Sequence, residues 1–248
     1  MERLDQALVD RGLLESREKA KRAVMAGLVE INGQLARKPS DKVRPGDLLR
    51  IKETERYVSR GGLKLEKALS QFRIDPSGLV ALDVGSSTGG FTDCLLQHGA
   101  ARVFAVDVGH GQLAWTLRQD PRVEVMEKTN ARELTPSHFP EPFEPFRLVV
   151  MDCSFISLTK ILPATVALMA PGARLIALVK PQFEAGRAEV DRGQGVITDP
   201  VIHQRVLGEL RQFVNEKLDS VGWRDVTESP IKGPAGNREF LALIEKED

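Results

Sequence analysis

Ala81-LDVGSSTGG-Phe91 is the stretch on which the fold turns. The apolar run Val80-ALDV enters it as a buried strand, glycines at 85, 89 and 90 bend it, and the helical stretch Phe91-TDCLLQHG leaves it. Glycine permits such a bend because no Cβ obstructs the backbone or a ligand brought close to it. Outward from this turn, apolar runs of strand length alternate with helical stretches: Arg102-VFAVDVG, Arg122-VEVME, Phe146-RLVVMDCS and Ala173-RLIALVK. That alternation predicts a doubly wound α/β sheet, Rossmann-like in its parallel part. The end differs. Trp223-RDVTESP, a turn around Gly233 and Gly236, and Glu239-FLALIEK read as an antiparallel hairpin at the sheet edge.

A parallel sheet closed by such a hairpin fits an S-adenosylmethionine methyltransferase better than a dinucleotide dehydrogenase. The turn agrees, because G-x-x-x-G-G departs from the G-x-G-x-x-G of pyrophosphate cradles. It suits the amino-acid end of S-adenosylmethionine, with Asp83, Gly85, Ser86, Ser87, Thr88, Gly89, Gly90 and Phe91 as candidate contacts. Asp107, with Val108 beside it, ends the next strand, where an acid accepts hydrogen bonds from both ribose hydroxyls of an adenosine. Asn130, in Glu127-KTNARELT, either meets the adenine or makes the Asx-type bonds usual for an asparagine in a turn. Lys180 ends Leu175-IALVK and Asp152 ends the preceding strand, so both project over the carboxyl edge where open α/β sheets bind ligands. Glu239, at the start of the last hairpin strand, and Lys64, opening the helix Lys64-LEKALSQF-Arg73, are placed to close over the same mouth. The alternative for any such Lys–Asp pair is an ordinary surface ion pair.

The 248 residues, 42% apolar and 28% charged, suffice for one ordinary core and a small second domain. Net charge is zero, yet residues 1–52 hold twelve Lys/Arg against eight Asp/Glu, so the N-terminal part is expected to lead any nucleic-acid contact. There Leu4, Ala7 and Leu8 mark a short helix, and Ser16 caps a second helix with Ala20, Ala23 and Val24 on one face. Gly27 ends that helix, Asn32-Gly33 signals a hairpin, and Pro45-Gly46-Asp47 turns the chain into Leu48-LRIK. Arg17, Lys19, Lys21 and Arg22 crowd the opening turns of a helix whose free N–H groups attract phosphate, and Arg3, Arg11, Lys38 and Lys42 extend the patch. Arg3-Leu4-Asp5, Ser16-REKAKRAVMA-Gly27, Val29, Asn32-Gly33, Lys38-Pro39 and Asp47 together resemble the alpha-L RNA-binding fold of small-subunit ribosomal protein four. Glu53-TERYVSRGG-Leu63 is a polar connector. The expected organisation is an alpha-L domain over 1–55, a linker over 56–62 and a methyltransferase domain over 63–248.

Residues 60–248 resemble the TlyA family, the hemolysin-A-like branch of the FtsJ-type ribose methyltransferases. The resemblance rests on Ser59-RGGLK-Leu65, Asp83-VGSSTGGFTDCLL-Gln97, Met151-DCSFIS-Leu158, Val179-KPQF-Glu184 and Gly233-PAGNREF-Leu241. It implies S-adenosylmethionine as cofactor and methylation of a cytidine 2′-hydroxyl in ribosomal RNA. It carries the family's K-D-K-E tetrad over to Lys64, Asp152, Lys180 and Glu239 and puts Phe155 near the cofactor. The chain departs from the pattern at Tyr57, where the family's linker carries tryptophan before its valine. A ribose hydroxyl is a poor nucleophile, so attack on a methyl needs orientation and help in losing a proton. Lys180 would supply this as a neutral amine or as a cation stabilising alkoxide, Lys64 would hold neighbouring oxygens, and the two carboxylates would aim the lysines. No metal is expected, since a sulfonium is both electrophile and leaving group. In this family, members with a further C-terminal helix also modify the small subunit. Here the chain closes on Glu245-KED, so large-subunit RNA is the expected target.

No apolar run reaches the length of a membrane span, and Met1-ERLDQALVDRG is not a signal peptide. Cys94 and Cys153 have neither a disulfide framework nor metal-ligand spacing. A cytoplasmic protein is expected, with ribosomal RNA or subunits as partner, no membrane, no DNA and no obligate protein partner. Two other readings compete. A membrane-damaging hemolysin would want a long basic amphipathic helix, and an RNA-binding assembly factor with a silent enzyme domain would not need the intact turn, Asp107 and the tetrad.

Overall fold

The computed structural model describes residues 1–52 and 56–248; of the connector, Glu53, Thr54 and Glu55 lie outside the described residues. The chain divides into two units, Met1–Arg56 and Tyr57–Asp248.

In the first unit, helices Leu4–Asp10 and Arg17–Met25 bury Leu4, Ala7, Leu8, Ala20 and Val24 against Val29, Val43 and Leu49 of short strands. The Ser16 hydroxyl accepts from the Lys19 N–H and starts the second helix, as its capping role requires. Strand Val29–Ile31 pairs with Gln34–Leu35 across the Asn32-Gly33 turn and with Leu49–Ile51 on its other side. Asp5 points inward from the first helix and is fully buried. Hydrogen bonds from Arg3, then Arg17, hold its carboxyl well below the ordinary range, at about 2.

The second unit is built on seven strands: β1 (Val80–Val84), β2 (Arg102–Val106), β3 (Val123–Met126), β4 (Phe146–Met151), β5 (Met169–Val179), β6 (Val221–Glu228) and β7 (Phe240–Lys246). Their spatial order is β6-β7-β5-β4-β1-β2-β3. The first five are parallel, and β7 runs antiparallel between β5 and β6. Both faces are covered, which explains why the central strands read as unbroken apolar runs rather than alternating ones. Leu82, Val149 and Met151 face a core shared with Val206, Leu210 and Val214 of helix Pro200–Lys217. Ala81, Leu148 and Val150 face Leu65, Ala68 and Leu69 of α1 (Gly61–Phe72) and Cys94 and Leu95 of α2 (Gly90–Gln97).

The linker expected over 56–62 is folded from Tyr57 onward. Gly61 and Gly62 form the first turn of α1, so Lys64 lies inside the helix rather than opening it. The glycines that end the polar connector have a steric use: a Cβ on Gly62 would stand 2.2 Å from Tyr57 Cγ. Tyr57 is buried there, and the Val58 N–H donates to Asp93 Oδ2 at 2.8 Å, fastening this segment to α2.

Candidate active site

Strand register assembles the site. Val84 pairs with both Val106 and Met151, so Gly85, Asp107 and Asp152 each follow the last paired residue of three neighbouring strands. Val179 pairs with Phe240, which brings Lys180 and Glu239 to the same edge. Lys64 reaches it from α1. The four residues form two ion pairs. Lys64 Nζ lies 2.6 Å from Glu239 Oε2, with both groups buried. Lys180 Nζ lies 2.6 Å from Asp152 Oδ1, a close ionic contact without hydrogen-bond alignment, and donates to Ser154 Oγ at 2.7 Å.

Two cavities meet at this edge and share Gly85, Ser87 and Asp152. The larger, ≈ 670 Å³, is lined by Asp107, Val108, Asn130, Ser154 and Phe155 among others. That volume falls within the roughly 300–1,000 Å³ of small-molecule sites. The smaller, ≈ 210 Å³, lies over the glycine turn and is lined by Ser86, Thr88, Gly90, Phe91, Lys64, Arg60 and Lys232. A separate cavity of ≈ 490 Å³ opens at the opposite, amino-terminal strand ends, among Phe143, Arg102 and Arg147, and contains none of these residues.

The turn carries a fully buried acid beneath it. Gly85 has φ +84, and a Cβ there would stand 2.7 Å from the Asp152 carbonyl oxygen, so a side chain would meet both strain and backbone. Asp83 is fully buried; its Oδ2 accepts from Thr92 Oγ1 at 2.6 Å, while Oδ1 has no partner among the described residues. Burial first, then the charges of Asp152 and Asp107, push its carboxyl up to about 7. An orphaned carboxylate oxygen beside two further acids fits a ligand carrying positive charge, as S-adenosylmethionine does. Cys153, in the same surroundings, has its thiol pushed up to about 12 by burial and by Asp152, so it is not a thiolate nucleophile.

The other expected contacts divide. Asp107 Oδ2 accepts from Ser87 N–H at 2.8 Å and Oδ1 from Gly109 N–H at 2.6 Å, leaving each oxygen a second lone pair for a ribose hydroxyl. Gly89 caps α2, and Thr88 accepts the Ala114 N–H through its carbonyl. Phe91, though it lines the smaller cavity, packs chiefly into the core beneath α2. Val108 is 76% exposed at the larger cavity. Asn130 accepts from Arg132 N–H and donates to Glu133, so it makes the Asx-type turn while also lining the cavity. Phe155 is 90% exposed, holds φ +64, and lays its ring 5.1 Å from that of Phe183. A left-handed aromatic residue is uncommon and marks a constrained segment.

Three participants escape sequence reading. Glu127 takes Arg118, the Gly111 N–H and His110 onto its carboxyl, is held at about 2 by the first of these chiefly, and thereby fixes the loop after Asp107. Ser154, in the segment that follows β4, accepts from Lys180, and Glu184 accepts from Ser157 and Leu158 of the same segment. Each contact spans loops whose paths sequence does not disclose.

The basic residues of the first unit do not form one uniform patch. Lys21, Arg22, Lys38 and Lys42 are exposed and make no ion pair among the described residues. Arg3 and Arg17 are turned onto Asp5, and Lys19 onto Glu15. Arg11 donates to the Asp47 and Arg44 carbonyls and pairs with Glu2. It ties a loop to the first helix, which is a structural use the charge pattern did not reveal.

A sheet in this order, with a glycine turn and acids at its carboxyl edge, defines a Rossmann-like methyltransferase. The FtsJ-like methyltransferase family matches residues 57–246, and the S4 domain matches residues 2–49. The chain belongs to the FtsJ-like methyltransferase family and carries an S4 domain ahead of the catalytic fold. It is 47% identical over 246 residues to the 16S/23S rRNA (cytidine-2′-O)-methyltransferase TlyA of Mycobacterium tuberculosis, covering 98% of this chain and 89% of that one. It is 41% identical over 242 residues to hemolysin A of Brachyspira hyodysenteriae, covering 97% and 98%. A solved structure from Streptococcus thermophilus that bears a hemolysin name is similar with a TM-score of 0.74 and 47% identity, covering 100% of this chain and 89% of that one.

Proposed function

We propose that this protein transfers a methyl group from S-adenosylmethionine to the 2′-hydroxyl of a cytidine in ribosomal RNA. The observation that carries the reading is the pairing of Lys180 with Asp152 and Ser154, two residues that line the cavity whose wall holds Asp107. The name of the tuberculosis relative supplies the nucleotide and the RNA class. When bound, S-adenosylmethionine supplies an electrophilic methyl on a good leaving group.

The chain's residues divide the remaining work. Asp83 holds the ammonium of the cofactor's amino-acid end, the glycine turn admits that end, Asp107 accepts from the ribose, and Val108 and Asn130 flank the adenine. Phe155 stands at the rim. Lys180 orients the target hydroxyl and stabilises negative charge developing on its oxygen, aimed by Asp152, as that oxygen gains the methyl, the methyl–sulfur bond breaks to leave a neutral thioether, and the hydroxyl proton passes to solvent. Lys64, lining the smaller cavity and braced by Glu239, supports the neighbouring substrate oxygens. The exposed Lys21, Arg22, Lys38 and Lys42 of the S4 unit meet RNA phosphates. A protein acting on ribosomal subunits works in the cytoplasm; among the described residues no helix is long and apolar enough to cross a membrane.

The test is transfer of labelled methyl to separated large and small ribosomal subunits, followed by nucleoside analysis. The expected product is 2′-O-methylcytidine, and the subunit that gains it reveals the target. Label on a base, or none on either subunit, overturns the reading.

A further inference from the structure

Lys180 has two anchors, and both come from the short segment that leaves β4. Asp152 Oδ1 lies 2.6 Å from the ammonium, and Ser154 Oγ accepts from it at 2.7 Å. The same segment is tied again further along. Glu184, in the one-turn helix Pro181–Glu184 that follows Lys180, accepts the Ser157 hydroxyl at 2.6 Å on Oε2 and the Leu158 N–H at 2.8 Å on Oε1. Residues 152–158 and 180–184 are therefore cross-linked at both ends, with the Phe155 ring against Phe183 between the links. Glu184 is half-buried, and burial raises its carboxyl above the ordinary range. Its two carboxyl oxygens are both spent on this one segment.

We propose that Ser154 is a positioning residue for methyl transfer, fixing the Lys180 ammonium from a second side, and that Glu184 holds Ser154 in place. This rests on the assignment of Lys180 to the reaction. An ammonium has three N–H donors. Ser154 takes one of them in an aligned hydrogen bond, whereas Asp152 draws the group by charge without alignment, so Ser154 is the contact that sets how the remaining donors are turned. Asp152 alone would leave the ammonium free to turn about the Cε–Nζ bond. A second acceptor removes that freedom, and methyl transfer depends steeply on alignment at the reacting atoms. Ser154 is exposed, so the hydroxyl can be deleted without opening a hole in the core.

The experiment is single-turnover methyl transfer to the subunit that the wild-type protein modifies, with cofactor and RNA affinities measured alongside. Ser154→Ala is expected to lower the rate constant about tenfold, the scale of one hydrogen bond to a charged group, with both affinities within about twofold of wild type. Ser154→Thr, which keeps the hydroxyl, restores most of the rate. Glu184→Gln also slows transfer, and the Ser154→Ala/Glu184→Gln double variant is no slower than Ser154→Ala, because one residue acts through the other. Ser157→Ala removes one link with less risk to folding and is expected to slow transfer in the same direction. A wild-type rate for Ser154→Ala, equal losses for the Ala and Thr variants, or multiplying losses in the double variant each overturn the proposal. Lys180→Ala separates the two levels. Full activity in that variant removes Lys180 from the reaction altogether, whereas an inactive Lys180→Ala beside a fully active Ser154→Ala removes this inference alone.

Discussion

Binding of S-adenosylmethionine near neutral pH is expected to release protons, and Asp83 is the group that releases them. Its carboxyl is buried, has one oxygen satisfied by Thr92 and the other without a partner among the described residues, and sits at about 7 through burial and the nearby acids. The folded value lies above the ordinary 3.8, so in the free protein the charged form is disfavoured and stability declines as pH rises from about 4 to about 7. A ligand ammonium at Oδ1 favours the carboxylate and reverses that preference. At pH 6.5 a group of this kind is about three-quarters protonated, so complete ionisation on binding releases about 0.75 proton. Affinity strengthens by up to roughly tenfold per pH unit on the acid side, levels off near neutrality, and weakens again above about 8, where an α-amino group loses its own proton. Titration calorimetry at pH 6.5 in two buffers of different ionisation enthalpy counts the protons. Asp83→Asn should abolish the release and flatten the pH dependence on the acid side. No release from the wild type, or the same release from Asp83→Asn, refutes the reasoning.

Removing one partner of the buried Lys64–Glu239 pair, by Lys64→Met or Glu239→Leu, should cost about 3–5 kcal/mol in urea unfolding, and the double variant should recover most of it. Losses that simply add would show that the two do not share a pair. Changing Lys21, Arg22, Lys38 and Lys42 together to Gln should reduce the slope of log affinity against log salt for ribosomal RNA, by roughly 0.7–0.9 for each phosphate no longer neutralised. An unchanged slope would place the RNA on another surface.

Local signals were the ones the sequence disclosed. The glycine turn, the five parallel strand runs, the Ser16 cap and the Asn32-Gly33 hairpin each depend on residues within a few positions, and each stands in the structure. Pairings across the chain were not readable. Four charged residues were expected at one mouth, but their division into Lys64–Glu239 and Lys180–Asp152 follows from register between β5 and β7 and from the approach of α1. Asp5 was hidden for another reason: an acid on a short helix ordinarily faces water, and only its neighbours Arg3 and Arg17 make an inward position tolerable. Gly61-Gly62 was read as the end of a polar connector, and the close approach of Tyr57 that Gly62 permits could not be seen from the residue type alone.

The insertion of β7 between β5 and β6 also sets a clock. Synthesis delivers this strand after every other member of the sheet, so until it docks β5 has an unpaired flank and the ammonium of Lys64 has no counter-charge from Glu239, 175 positions further along the chain. Contacts so distant in sequence close late. An emerging polypeptide can therefore hold a finished glycine turn, with Asp83 and Asp107 already in place, while lacking the groups that complete the mouth. The Lys64–Glu239 pair therefore cannot form until the final hairpin has been made.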